Sequence, residues 1–331
     1  MAAQYTTDSR TIQSLLASTL ERAVESGVVQ DAVFKMRPLL NKLRESGNLM
    51  VVNGGERLRV QFQYDTNSTV DSYTDDETLD VTRQDNVTSA FFQWKQYSVS
   101  IVITGRELRI NKGSETQLFN LLEQKTFDAA QSLQKRLAAD LFTDGTGNGS
   151  KNLTGLEAAL EDSPGTTAYA SVPTDNTAWR NDTVSTSVGA AAVNLLPNMR
   201  TGYNNVVQIG GSGDNAGTDL WVTTQSIHES FEALHQPHFR FGVNDRPDLS
   251  SSNPTFKDGE VIWDPDCVSG NMYGLNLSAA KLFVHDDANF DESDEGLQRP
   301  VNQDSFISQL LFMGNFLTNN RAKHTKLAGI T

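Results

Sequence analysis

Leu58, Val60, Phe62 and Tyr64 alternate with Arg57, Arg59, Gln61 and Gln63, the two-residue period of a strand with one buried face. A returning strand is expected at Tyr97, Val99, Ile101 and Ile103, with Ser98 and Ser100 between them. The polar stretch between the two, from Asp65 to about Ser89, far exceeds the few residues of an ordinary hairpin loop. Ordering its most acidic part, residues 65–85, would cost on the order of 20–40 kcal/mol of backbone entropy. It has almost no apolar side chains to offset that cost. Such a loop is disordered in isolation or held by another surface.

A helical period appears first at Ile12, Leu15, Leu16 and Leu20, and again at Val33, Met36, Leu40 and Leu43 around Pro38. These two pieces, separated by Gly27, are too small to form a core alone and read as an arm. The longest helix is expected from Ser114, with Gln117 completing a capping box. Leu118, Leu122, Ala129, Leu133, Leu137 and Leu141 lie along one stripe, with Phe119, Ala130 and Ala138 beside it. It stops at Gly145-Thr146-Gly147-Asn148-Gly149, after roughly 30 residues or ~45 Å. So narrow a stripe implies one-sided packing on a sheet.

From about 160 to 218 the chain is rich in Ser, Thr, Asn, Asp and Gly, with a helical piece near 194–206. Strands are expected at Leu220-Trp221-Val222, Val261-Ile262-Trp263, Leu282-Phe283-Val284 and along Phe306 to Phe316, with a helix from Thr224 to Leu234. Strands and helices in no strict alternation indicate an α+β class. There is no internal repeat.

Charge sharpens this picture. The 331 residues carry a net charge of −14, of which residues 65–85 hold seven acids against Arg83 and residues 286–295 hold six acids and no base. The rest is nearly neutral, and no basic stripe marks a sequence-specific nucleic-acid binder. No run of ~20 apolar residues could span a membrane. The N-terminal Met1-Ala2-Ala3-Gln4 sequence lacks the basic and apolar regions of a signal peptide. Synthesis is expected in a cytoplasm, where the chain stays until it is assembled or released. Asn67-Ser68-Thr69 and Asn86-Val87-Thr88 are then accidents of composition. Cys267 stands alone, which excludes an internal disulfide and a thiolate cluster, and reads as a small buried apolar residue.

Candidate chemistry is sparse. Gly145, Gly147 and Gly149 follow a helix, whereas a dinucleotide loop precedes one. Gly210-Gly211-Ser212-Gly213 has no Lys-Ser/Thr after it and reads as a turn. His235 and His238 lack further ligands at metal spacing, and Pro237 breaks the helix that would align them. No Gly-x-Ser-x-Gly elbow is present. Asp286, Asp287, Asp291, Glu292, Asp294 and Glu295 do not fit a calcium loop, nor do Asp75, Asp76, Glu77 and Asp80. Both clusters read as solvated acidic loops. No catalytic residue, cofactor or metal is expected.

The succession of arm, oversized hairpin, long helix and glycine stop resembles the tailed-bacteriophage major capsid protein family, the Hong Kong 97 fold. Trp94-Lys95-Gln96-Tyr97 through Gly105-Arg106-Glu107-Leu108 and Asn111 is similar to the family's approach to its spine helix. Asp144-Gly145-Thr146-Gly147 and Thr154-Gly155-Leu156-Glu157 resemble the exit from that helix. Trp263-Asp264-Pro265-Asp266-Cys267, Tyr273-Gly274-Leu275-Asn276, Gly314-Asn315-Phe316-Leu317, Asn320-Arg321 and Leu327-Ala328-Gly329-Ile330 continue the likeness to the end. It runs from about residue 30 to 331, and residues 160–220 add no motif to it.

By that resemblance, residues 1–48 would be an N-terminal arm and 49–104 an extended loop. Residues 105–185 with 300–331 would form a peripheral domain around a spine helix at 114–143, and 186–299 an axial domain. The chain would build the hexamers and pentamers of an icosahedral head around double-stranded DNA, without reading its bases. Asp65, Asp71, Asp75, Asp76, Glu77, Asp80 and Arg83 would lie at subunit contacts, while Leu118, Leu122, Leu133, Leu137 and Leu141 would form the spine-helix core. Partners would be a portal, a decoration protein and a separate scaffolding protein, since only about 47 residues precede the hairpin. Some relatives close their shells with an isopeptide bond from a loop lysine to a neighbour's asparagine. Between Val51 and Trp94 this chain has no lysine, only Arg57, Arg59 and Arg83, so a non-covalent shell is expected. Lys95, at the base of the loop, is expected to lie over the strand surface. The alternatives are a tail or decoration subunit, which would usually lack such a helix beside a long hairpin, and a soluble hydrolase.

Overall fold

Pro38 opens the first described helix, α1 (Pro38–Glu45), from its first turn, where a missing N–H costs nothing. The computed structural model describes residues 37–110, 115–185, 187–209, 217–235, 254–257, 259–292 and 298–331. The expected helix around Leu15 lies outside these residues, as do His238 and the Gly210–Gly213 turn. In chain order the strands are β1 (Leu49–Val52), β2 (Arg57–Gln63), β3 (Val87–Gln93), β4 (Lys95–Thr104), β5 (Asp182–Ser185) and β6 (Leu220–Thr223). They continue with β7 (Thr255–Phe256), β8 (Gly259–Trp263), β9 (Met272–Leu275), β10 (Ala280–Glu292), β11 (Ser305–Thr318) and β12 (Thr325–Leu327). The longer helices after α1 are α2 (Gly105–Ile110), α3 (Glu115–Asp140), α4 (Ala191–Ile209) and α5 (Gln225–His235).

The chain forms two compact units. One comprises the described residues up to Gly54, with those of Trp94–Leu153 and Leu282–Asn315. Its sheet runs β1-β10-β11-β4, with β1 parallel to β10 (Leu49 opposite Leu282) and β11 antiparallel to β4 over ten pairs, from Ser305 opposite Thr104 to Gly314 opposite Lys95. The 26-residue helix α3, about 39 Å long at 1.5 Å per residue, packs on β4. Leu133, Leu137 and Leu141 are buried. With Leu40, Leu153, Leu282 and Phe312 two of them line a small apolar cavity, so α1, α3, β10 and β11 share one core. Leu118 and Leu122 belong to a stretch of α3 whose side chains lie outside the described residues. At the end of α3 the Tyr97 hydroxyl donates to Asp140 Oδ2 (2.7 Å) and accepts from the Leu153 N–H (2.6 Å).

The other unit comprises Gly55–Gln93, Thr154–Lys281 and Phe316–Thr331. Its six-stranded sheet has the order β5-β12-β9-β6-β8-β7. Trp221, Phe231, Leu195, Met199, Val261 and Met272 form the buried cluster between this sheet and α4 and α5. Trp221 fits because Gly259 and Gly274 carry no Cβ. One built on Gly259 would meet Trp221 Cδ1 at 2.9 Å, and one on Gly274 would meet Cζ3 at 2.9 Å.

Two expectations are corrected. The returning strand of the hairpin is β3, not the Tyr97–Ile103 strand: Arg57 faces Gln93, Leu58 faces Phe92 and Val60 faces Ala90. Tyr97–Ile103 belongs to β4, which pairs with β11 instead, because the hydrogen-bonding edge of that fourteen-residue strand matches it along its whole length. The long helix stops at Asp140, short of 143. The two compact units have boundaries of their own. Residues 282–292, expected in an axial segment, hydrogen-bond to β1 and β11, while 154–185 lies with the six-stranded sheet.

Candidate assembly surface

The β2–β3 hairpin presents two faces. Leu58, Ala90 and Phe92 are buried, whereas Arg57, Arg59, Gln61 and Gln63 are exposed. The buried face stands on two aromatic residues from the polar 160–180 stretch. Phe62 stacks on Trp179 with centroids 4.1 Å apart, and Phe92 meets Tyr169 edge-on at 5.4 Å. The Phe91 N–H donates to the Ala170 carbonyl (2.8 Å), tying strand to platform. Sequence reading missed both platform residues. Their signal was the presence of two large aromatics in a stretch otherwise made of small polar residues.

Charge holds this platform from behind. Arg321, 2% exposed, lies with its guanidinium 5.0 Å from the Tyr169 ring centroid, donates to the Ala159 carbonyl and pairs with Glu161 at 3.4 Å. Burial opposes the Glu161 charge, but the Thr167 hydroxyl, Arg321 and the Gly165 N–H outweigh it and hold the pKa below the usual value. Nearby Lys326, fully buried, reaches Glu157 Oε1 and Asp162 Oδ1, both at 2.8 Å. Removing Glu161 would leave the buried Arg321 guanidinium without its carboxylate.

Beyond the paired strands, residues 64–86 extend as an exposed tip. Asp65, Asp71, Asp75, Asp76, Glu77, Asp80 and Arg83 are all exposed. The tip's hydrogen bonds are local. Asp65 Oδ1 accepts from the Thr66 N–H, Asp71 Oδ1 from the Ser72 N–H, Glu77 Oε2 from the Thr74 N–H and Asp80 Oδ1 from Thr82. The Thr82 hydroxyl and N–H lower the Asp80 pKa. At the neck, the Tyr64 hydroxyl donates to the Asp85 carbonyl (2.5 Å) and the Tyr64 N–H to the Asn86 carbonyl (3.0 Å). The few apolar residues of the tip are also uncovered, Val70 at 83%, Tyr73 at 67% and Val81 at 92% exposed. Among the described residues, the hydrogen bonds of the tip come from its own turns and from the Tyr64 neck.

Cys267 is buried, and burial with the nearby Asp264 and Glu157 charges pushes its pKa up to about 12, which disfavours the thiolate. No group of three or more His, Cys, Asp or Glu side chains among the described residues could hold a metal ion. The His235, Asp291, Glu292, Asp294 and Glu295 side chains lie outside those residues. Lys95, expected over the strand surface, donates to the Ser150 carbonyl at 2.5 Å. No described helix is long and apolar enough to cross a membrane.

No sequence-family model and no curated protein sequence matches this chain. Solved structures do. A capsid subunit of cyanophage A-1(L) superimposes with a TM-score of 0.62 at 15% identity, covering 87% of this chain and 93% of that one. A structure from Mycobacterium phage Bobi gives a TM-score of 0.52 at 13% identity, over 85% and 88% of the two chains. The holo-SrpI encapsulin complex from Synechococcus elongatus gives 0.53 at 8% identity, over 86% and 85%. The chain therefore has the Hong Kong 97-type fold of these shell structures, a mixed α+β architecture.

Proposed function

We propose that this chain is the major capsid protein of a tailed bacteriophage, building hexamers and pentamers of an icosahedral head around double-stranded DNA. The reading rests on the fold, shared over most of the chain with a cyanophage capsid subunit. The hairpin adds a physical reason for assembly. An exposed tip whose bonds among the described residues are local gains order and burial by lying on a neighbouring copy. Repetition around a closed shell then turns a modest contact into a stable one. The acidic residues Asp65, Asp71, Asp75, Asp76, Glu77 and Asp80, with Arg83, would meet that neighbour, and salt would weaken the contact. The role is structural, not catalytic. By resemblance, the partners would be a scaffolding protein, a portal and a decoration protein, and assembly would take place in the host cytoplasm.

The encapsulin match favours a second reading, a closed protein shell that is not a phage head. Electron micrographs of particles from a lysate of the natural host separate the two. Icosahedral heads with nuclease-protected double-stranded DNA are expected. Shells without DNA would favour the second reading, and a small soluble oligomer would overturn both.

A further inference from the structure

At the foot of the hairpin a small cavity is lined by Gly165, Tyr169, Trp179, Arg180 and Arg321, among others. Its free space, about 10 Å³ for the centre of a water-sized sphere, takes one small occupant. Three lining residues carry a buried polar atom with no hydrogen-bond partner among the described residues: Trp179 Nε1, Arg180 Nε and the Tyr169 hydroxyl. Trp179 and Tyr169 are 3% and 4% exposed. The two nitrogens can only donate, and the hydroxyl can donate as well. Among the described residues, two guanidiniums line the cavity and no carboxylate does. Arg321 is already matched by Glu161, but Arg180 has no ion pair among the described residues; its Nη2 donates to the Thr174 carbonyl at 2.8 Å.

We propose that this cavity binds a single monatomic anion, chloride under ordinary conditions, through Trp179 Nε1, Arg180 Nε and the Tyr169 hydroxyl. Such an ion accepts from every donor around it and has no hydrogen of its own to place. A water accepting the same bonds would still need acceptors for two hydrogens. Gly165 belongs to the same device. Its φ of +92° suits glycine, and a Cβ there would stand 2.6 Å from Arg180 Nε. Because Trp179 also carries Phe62, occupancy stiffens the platform on which the hairpin stands.

The full-length protein would be melted in sodium chloride, sodium bromide and sodium gluconate at one ionic strength. Chloride and bromide are expected to raise Tm over gluconate by about 2–5 °C at roughly ten times the dissociation constant. Trp179→Phe keeps an aromatic ring under Phe62 but removes the donor, and should lose most of that rise. Equal melting in all three salts, or an undiminished rise in the variant, would overturn the proposal and leave water as the occupant. Should the variant not fold, crystals of the wild-type protein grown in bromide decide. An anomalous peak at hydrogen-bonding distance from Trp179 Nε1 supports the site, and its absence overturns it.

Discussion

The Phe62 ring lies on the Trp179 indole with 4.1 Å between centroids and 24° between planes. Phe62 is only half-buried, so its loss costs less than that of a full core phenylalanine. Phe62→Ala should lower stability by about 1–3 kcal/mol, read by denaturant unfolding, and shift tryptophan emission to the red. Unchanged emission would place the hairpin elsewhere in solution.

Replacing residues 66–85 with a short turn spares β2 and β3 and removes no buried residue. The subunit should melt within a few degrees of the parent yet fail to build stable shells in electron micrographs. Particles of normal stability would show that the tip does not join subunits.

Leu133 is 4% exposed on the face of α3 that meets the sheet. Leu133→Asp buries an unpaired carboxylate, at several kcal/mol. Soluble expression should be lost, whereas the same change at exposed Phe127 should be tolerated.

His324 is fully enclosed. Its Nδ1 accepts from the Asn276 N–H (3.1 Å) and its Nε2 lies 2.8 Å from the Thr318 hydroxyl. Burial, then the Lys323 and Arg321 charges, push its pKa down to about 3. In the unfolded chain it titrates near 6.5. Below about pH 6.5 the unfolded state therefore binds the proton first. Stability falls with pH by up to about 1.4 kcal/mol per unit until the folded pKa is reached. His324→Asn keeps an acceptor but cannot titrate. Its stability should depend less steeply on pH between 6 and 3, as measured by urea unfolding, and a slope equal to the parent's would refute the assignment.

No lysine lies on β2, β3 or the tip between them, and Lys95 is committed to the Ser150 carbonyl. Assembled particles boiled in denaturing detergent should run as one band near 36 kDa. A ladder of oligomers would reveal a covalent bond.

Local period was enough to mark much of the secondary structure. The alternation from Leu58 to Tyr64 is a strand because every second residue faces a sheet's interior, and the leucines of α3 are a stripe because 3.6 residues complete a turn. Period says nothing about partners. Val87–Gln93 and Tyr97–Ile103 both suit a strand, and only the folded chain shows that the first closes the hairpin while the second joins β11 across some 200 residues of sequence. Trp179 and Tyr169 escaped notice for the same reason. Their place under Phe62 and Phe92 depends on a chain reversal that brings residues 160–180 to the hairpin, and composition cannot encode that approach. The acidic tip was legible because charge and missing hydrophobes are properties of the chain itself. Where each strand finds its hydrogen bonds is a property of the whole fold, since a ladder's register is set by which long edge is left to be paired.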